Sequence, residues 1–285
     1  MAKIVRDNSH IAKLFLSLTG SRNLWQVWSD VIFLMAVSIS NLCDNGQRKQ
    51  DREKAYMDRI KNYSEQEQKI IVNIYVAIVE ALDKNPNQDL LGQLFMELNL
   101  GNERNGQFFT PYNVCELMAS ITSDEEIKSK IADKGYVVVN DCACGGGATL
   151  IAFANKIHEM GINYQTDCMF VAQDIDYTTA LMCYVQLSLL GCPGYIKIGD
   201  TLTEPLTDSW LEAELGSNIW LTPMFYTEVW LHRRIKEQMK RILHGVSVPK
   251  APKEAEPIPE PKQEPAVTEI IIPAAEQEAV QLSLF

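Results

Sequence analysis

Three aspartates, each following an apolar run, and a cluster of glycines after the first of them are the residues of this sequence best suited to chemistry. The first lies in Val139-Asn140-Asp141-Cys142-Ala143-Cys144-Gly145-Gly146-Gly147-Ala148-Thr149, spaced Asp-x-x-x-Gly-x-Gly. Glycines there let the backbone come close to a ligand at the carboxyl edge of a sheet, where ligands bind. No Gly-Lys-Ser/Thr follows, so the segment is not a phosphate loop, and it lacks the three spaced glycines of a dinucleotide fingerprint. The second acid comes in Gln173-Asp174-Ile175-Asp176, where a carboxylate can accept both hydroxyls of a ribose. The third comes in Gly199-Asp200-Thr201. An acid beside the glycines disfavours a pyrophosphate and suits an ammonium. An amine next to a sulfonium, carried on a nucleoside, is the chemistry of S-adenosylmethionine (SAM), the ligand these residues predict. The plainer alternative is that the glycines turn the chain into a helix and the aspartates cap helices. Three strand-end acids in this order favour the nucleoside ligand.

Positioning those acids requires strands that end together. Tyr136-Val137-Val138-Val139 is a short β-branched run that fits a buried parallel strand. Met169 to Ala172, Tyr195 to Ile198 and Ser217 to Leu221 supply three more, with helices expected over Ala148 to Met160 and Tyr177 to Leu190. This alternation, from about residue 106 to 247, predicts a parallel sheet with crossover helices. Residues 1 to about 105 read as helical, with apolar positions at Ile11, Leu14, Phe15 and Leu18 and again at Ile70, Ile71, Ile74, Ile78 and Leu82. Asn85-Pro86-Asn87 is a turn, after which Asp89 can cap a short helix. The charged run Gln47 to Lys54 reads as a solvated loop or helix end. Thr227 to His244 is a last helix, and its His232, Arg233, Arg234, Lys236, Lys240 and Arg241 read more simply as a solvated face than as a phosphate-binding one. From 248 to 285 the chain is rich in Pro, Glu, Lys and Ala, a composition that predicts a disordered tether.

Composition sets the class. A hydrophobic content of 46% is enough for a real core. Lys and Arg number 26 against 37 Asp and Glu, and a net charge of −11 argues against a grip on nucleic acid through the overall field. Val31 to Leu42 is too short to cross a bilayer and the N-terminus lacks an apolar export core, so a cytoplasmic protein is expected, without a membrane. The 7 cysteines then read as reduced thiols, Cys142 and Cys144 as small packing residues, and no metal site is expected.

Gly106-Gln107-Phe108-Phe109-Thr110-Pro111, the Asp141 to Gly147 segment, Ala172-Gln173-Asp174-Ile175-Asp176 and Gly199-Asp200-Thr201-Leu202 come in an order that resembles the SAM-dependent adenine-N6 DNA methyltransferases. The resemblance is to the modification subunit of type I restriction systems and its short relatives on phages and mobile elements. It implies a Rossmann-like SAM-dependent core preceded by a helical domain. Phe109, Thr110 and Pro111 would then flank the cofactor, Asp141 with Gly145 and Gly147 would hold its methionine part, Asp174 its ribose, and Asp200 its adenine amine. That family places Asn-Pro-Pro-Phe/Tyr after the fourth strand; here the position reads Leu221-Thr222-Pro223-Met224-Phe225. By resemblance, Thr222 and the Pro223 carbonyl would accept the hydrogens of a flipped adenine's amine, and Phe225 would stack on the base. The Thr hydroxyl is shorter than the amide it replaces, and Met224 lacks the rigidity of a second proline. One helix alone separates this element from the tether, which is compatible with a core that stops after the fourth strand. Two readings therefore stand: an enzyme that methylates adenine N6 in DNA, and a SAM-binding relative without catalysis that serves as a binding module of a mobile element.

The chain ends in Gln281-Leu282-Ser283-Leu284-Phe285, which resembles the pentapeptide by which bacterial replication and repair proteins dock on the DNA polymerase sliding clamp. Gln281, Leu282, Leu284 and Phe285 would make that contact, the apolar side chains filling a cleft at the end of a flexible reach. Docking would deliver an acidic protein to DNA by effective concentration. The expected organisation is a helical domain over 1–105, a SAM-binding domain over 106–247 and the tether over 248–285. The expected partners are DNA, the clamp and a separate specificity subunit, in a bacterial or phage-infected cell.

Overall fold

Side chains that satisfy free backbone amides set the helix starts in the first part of the chain. The computed structural model describes residues 5–20, 22–101, 109–206 and 218–243. After α1 (Val5–Ser17), Asn23 accepts a bond from the Gln26 amide at 2.7 Å and opens α2 (Leu24–Ser40). α3 (Gly46–Ile60) follows. Ser64 and Glu67 then exchange two bonds in a capping box ahead of α4 (Glu65–Lys84). Asp89 caps α5 (Leu90–Glu97), its carboxylate taking the Gly92 amide at 2.9 Å, as its position after the Asn85-Pro86-Asn87 turn predicts. The expected apolar positions of α1 and α4 carry their buried faces, with Phe15, Trp28 and Phe95 in edge and tilted contact 4.9–5.9 Å apart.

Gln47 to Lys54, expected as a solvated loop or helix end, forms the first part of α3 and is mostly exposed. Arg52 is buried there, ion-paired with Asp44, donating to the Ile219 carbonyl at 2.9 Å and lying 3.6 Å over the Trp220 ring. Arg59 stacks 3.7 Å over Phe33. Guanidinium stacking joins Ala55, Tyr56 and Ile60 in binding this helix to its neighbours, and apolar periodicity cannot register the stacking.

Beyond α6 (Tyr112–Thr122) and α7 (Glu125–Lys134) comes the sheet. β1 (Val137–Asp141), β2 (Cys168–Asp174) and β3 (Gly194–Ile198) are adjacent and parallel, joined by α8 (Ala148–Glu159) with the short α9 (Tyr164–Asp167), and by α10 (Tyr177–Leu189). Asp141 stands level with Ala172, and Asp174 with Ile198, so the acids finish along one rim. β2 is buried on both faces, which explains its unbroken apolar run. Phe170, Ala172 and Ile196 join a core shared with α2, α8 and α10, while Met169, Val171 and Tyr195 join a smaller one with Phe225 and Trp230 on the opposite face.

The fourth strand departs from the expected all-parallel sheet. β4 (Ile219–Leu221) pairs with β3 in antiparallel register, Tyr195 opposite Leu221 and Lys197 opposite Ile219. Trp220 on this strand is buried against Tyr184 at 5.2 Å and Phe33 at 6.5 Å under the Arg52 guanidinium. Among the described residues β1 is the other edge, and Val138 on it is 48% exposed. A 3-10 turn, Pro223–Tyr226, leads into α11 (Glu228–Leu243). No helix among the described residues is long and apolar enough to cross a membrane.

Candidate functional site at the strand rim

At the end of β1 the chain turns through glycines because a β-carbon would not fit. Gly147 takes φ +95°, and a β-carbon there would lie 2.9 Å from the Cys183 sulfur. Gly145 takes φ +53°, and its missing β-carbon would meet the Phe109 ring at 3.1 Å. Both backbones are in the region L side chains avoid. Phe109 is half-buried against Phe95, with ring centres 5.1 Å apart, so the Phe-Thr-Pro element does meet the glycine loop. Thr110 and Pro111 are exposed beside it, Pro111 at the start of α6. Gly106, Gln107 and Phe108 lie outside the described residues.

Two of the acids hold this loop. Asp141 accepts the Ala143 amide at 3.1 Å and, through its other oxygen, the Thr149 hydroxyl. Asp174 accepts the Gly145 amide at 2.8 Å on one oxygen and the Asp176 amide at 2.9 Å on the other. Burial raises the Asp174 pKa against the pull of those two amides. Asp200 is half-buried and accepts the Leu202 amide at 2.9 Å, while its neighbour Thr201 donates to the Cys142 carbonyl at 2.5 Å. Phe109, Asp141, Gly145, Gly147, Asp174 and the Asp200 turn are thus drawn together at one rim by hydrogen bonds and ring contact. Cys144 is buried, and its thiol pKa is raised by a hydrogen bond with Cys183 and by burial, a protonated packing residue and not a nucleophile.

Sequence reasoning missed several groups that shape this rim. Gln173 donates to the carbonyls of Gly199 at 3.2 Å and Glu204 at 3.0 Å, fixing the turn after β3. Its buried Oε1 has no hydrogen-bond partner among the described residues. Gln186, on α10, donates to the Gly146 carbonyl and to Asp89, both at 2.8 Å. A lone Gln in an apolar helix is one trace of this in the sequence, and Gly92 in α5 is another: a β-carbon at Gly92 would collide with the Asp89 carboxylate at 1.9 Å.

Thr222, Pro223 and Phe225 are not at this rim. Thr222 is fully buried; its hydroxyl accepts the Gly194 amide at 2.9 Å and donates to the Cys192 carbonyl at 2.8 Å. Gly194 begins β3, whose other end, Ile198, is level with Asp174. Four residue steps of about 3.3 Å put that end roughly 13 Å away along the strand. Phe225 is buried against Tyr195, with Arg234 over its ring at 4.2 Å. The structure thus places Thr222, Pro223 and Phe225, expected to contact a flipped adenine, at the opposite end of β3 from Asp174, because β4 runs antiparallel.

The basic character of α11 is partly spent inside the protein. Arg233 donates to the carbonyls of Gly135 (2.7 Å) and Thr166 and stacks on Trp230, and Arg234 donates to the Phe225 carbonyl at 2.5 Å. His232 and Lys236 are exposed, and Lys240 pairs with Glu237 at 3.5 Å. Among the described residues, no group of three or more His, Cys, Asp or Glu is placed to hold a metal ion.

Comparison with known proteins gives one positive result. Residues 88–256 match the family described as N-6 DNA Methylase, a span that contains the whole rim and more than half of the 285-residue chain. No curated protein and no solved structure matches.

Proposed function

Because the chain belongs to the N-6 DNA methylase family, we propose that the rim of β1, β2 and β3 binds S-adenosylmethionine and that the chain serves methyl transfer to the N6 amine of adenine in DNA. The observation that supports this most is the bond from the Gly145 amide to Asp174 at 2.8 Å, which joins the glycine turn to the next strand's acid. The residues fit such a ligand on two counts: the space a β-carbon would fill at Gly145 is backed by an aromatic ring, and the neighbouring donors and acceptors include three carboxylates on one rim. When bound, the cofactor supplies a methyl group on a positively charged sulfur.

The chain's own residues would then divide the work. Asp141, oriented by Ala143 and Thr149, holds the ammonium of the methionine part, where Gly145 and Gly147 admit it to the backbone. Each Asp174 oxygen accepts one amide and keeps a lone pair for a ribose hydroxyl. Asp200 takes the adenine amine, and Phe109 with Thr110 and Pro111 closes the apolar flank. Calorimetric titration of SAM into the full chain, repeated with Asp141→Ala, tests this: micromolar binding lost on substitution supports it, and no binding by the wild type overturns it.

A second reading is favoured by Thr222. With its buried hydroxyl committed to Gly194 and Cys192, Thr222 does not present the acceptor that adenine's amine needs, and the chain becomes a SAM-binding relative without catalysis. Labelled SAM and DNA, with and without sliding clamp, separate the two, since only the first yields N6-methyladenine. The tail carries a separate proposal, that Gln281, Leu282, Leu284 and Phe285, outside the described residues, dock the chain on the clamp in a mobile-element setting.

A further inference from the structure

Asp89 and Gln186 lie far apart in sequence and form a shared hydrogen-bond set with the glycine loop. Gln186 is fully buried and its amide is used completely. Its two hydrogens go to Asp89 Oδ1 and the Gly146 carbonyl, both at 2.8 Å, and its oxygen accepts the Leu91 amide at 3.0 Å. Asp89 Oδ1 also accepts the Gly92 amide at 2.9 Å, so the carboxylate that caps α5 is the same one that holds Gln186. Gly146 lies against these groups: a β-carbon on it would be in van der Waals contact with Asp89 Oδ1 at 3.4 Å, Met182 at 3.5 Å and Gln186 at 3.7 Å.

A buried amide and a buried carboxyl are costly unless every donor and acceptor is matched. An apolar pair would build a cheaper core, so what this pair adds is direction. The Gly146 carbonyl belongs to the peptide that leads into Gly147, whose φ is +95°, and lies two peptide units after the Gly145 amide that Asp174 accepts. Fixing that carbonyl fixes the plane of the peptide between Gly146 and Gly147, and with it the pose of the turn. We infer that Asp89 and Gln186 are positioning residues for the cofactor loop, a clasp through which the cap of α5 sets the affinity of the rim for SAM without touching it. The inference rests on the SAM reading of the rim for its ligand, and on the hydrogen bonds alone for the posing of the loop.

The test uses the full chain in Gln186→Leu, Asp89→Ala and Asp89→Asn forms, with Val185→Ala as a control that opens a cavity in the same helix. Amide hydrogen exchange across 142–149 without ligand reads the loop, and calorimetric titration of SAM reads the rim. Gln186→Leu and Asp89→Ala should speed exchange across the loop and weaken SAM binding about tenfold, the equivalent of one lost hydrogen bond of the stronger kind. Asp89→Asn keeps an acceptor for Gln186 and Gly92 and should stay within about threefold of the wild type. Val185→Ala should lower the melting temperature and leave both loop readouts in place. Should Gln186→Leu fail to fold, Gln186→Met, closer in shape, removes the same donated bonds and is read the same way. Unchanged exchange in folded Gln186 and Asp89 variants, or unchanged SAM affinity beside faster exchange, overturns the clasp. A wild type that does not bind SAM overturns the ligand reading instead, and the exchange measurement still judges the clasp.

Discussion

The Thr222 hydroxyl accepts the amide of Gly194 at 2.9 Å, and that bond ties the end of β4 to the beginning of β3. Thr222→Val removes the acceptor and strands a buried amide, so stability in urea should fall by about 1–3 kcal/mol. Thr222→Asn, which restores the residue the family carries, should give no gain in methyl transfer, because the side chain is at the other end of the sheet from Asp174. A rise in N6-methyladenine with the Asn variant would overturn the placement of this element.

Gly147 combines φ +95° with a sulfur 2.9 Å from its missing β-carbon. Gly147→Ala should lower stability by about 1–2 kcal/mol for the backbone alone, with the contact against Cys183 adding to it. Thermal melting reads the first effect. SAM titration of the folded variant should show weaker binding, since the turn has to open to admit the methyl group.

Asp89 should make stability depend on pH. Burial raises its pKa from the ordinary 3.8, against the bonds from Gln186 and Gly92 that lower it, so the folded chain holds the proton more tightly than the unfolded one. The stabilisation this gives is complete below 3.8 and is lost as pH rises through the folded value. Tyr112 and Cys115 are close enough to feel the charge, and both titrate far above this window. Asp89→Asn should therefore gain on the wild type between about pH 4 and pH 7 in urea unfolding; a constant difference across that range would count against an ionising Asp89.

Arg52 bridges Asp44, whose side chain is 3% exposed, to the Ile219 carbonyl of β4. Arg52→Ala leaves the carboxylate without its shortest partner and should cost about 3–5 kcal/mol. Arg52→Met combined with Asp44→Leu removes both charges and should recover most of that loss in the same unfolding measurement. Failure of the double variant to exceed the single one would show that the guanidinium stacking on Trp220 carries the effect.

Removing Gln281 to Phe285 should abolish pull-down by the sliding clamp and leave SAM affinity unchanged. Pull-down that survives the deletion would end the docking proposal.

The sequence by itself determined the parts that depend on local rules. Short apolar runs, β-branched in β1, located β1, β2 and β3, the turn before Asp89 located a cap, and the spacing of Asp141 from Gly145 and Gly147 located the turn into α8. These signals survive in one dimension because backbone strain, capping and strand burial involve neighbours along the chain. Only the tertiary structure decided the rest. The antiparallel direction of β4 and the packing of Trp220 against Tyr184, Phe33 and Arg52 both involve distant partners, and three apolar residues in a row carry no sign of either. The use of Gln186 and of Arg52 likewise depends on partners 97 and 167 residues away. A buried polar side chain is defined by what it meets, and a sequence records which groups are available but not which of them come within 3 Å of one another.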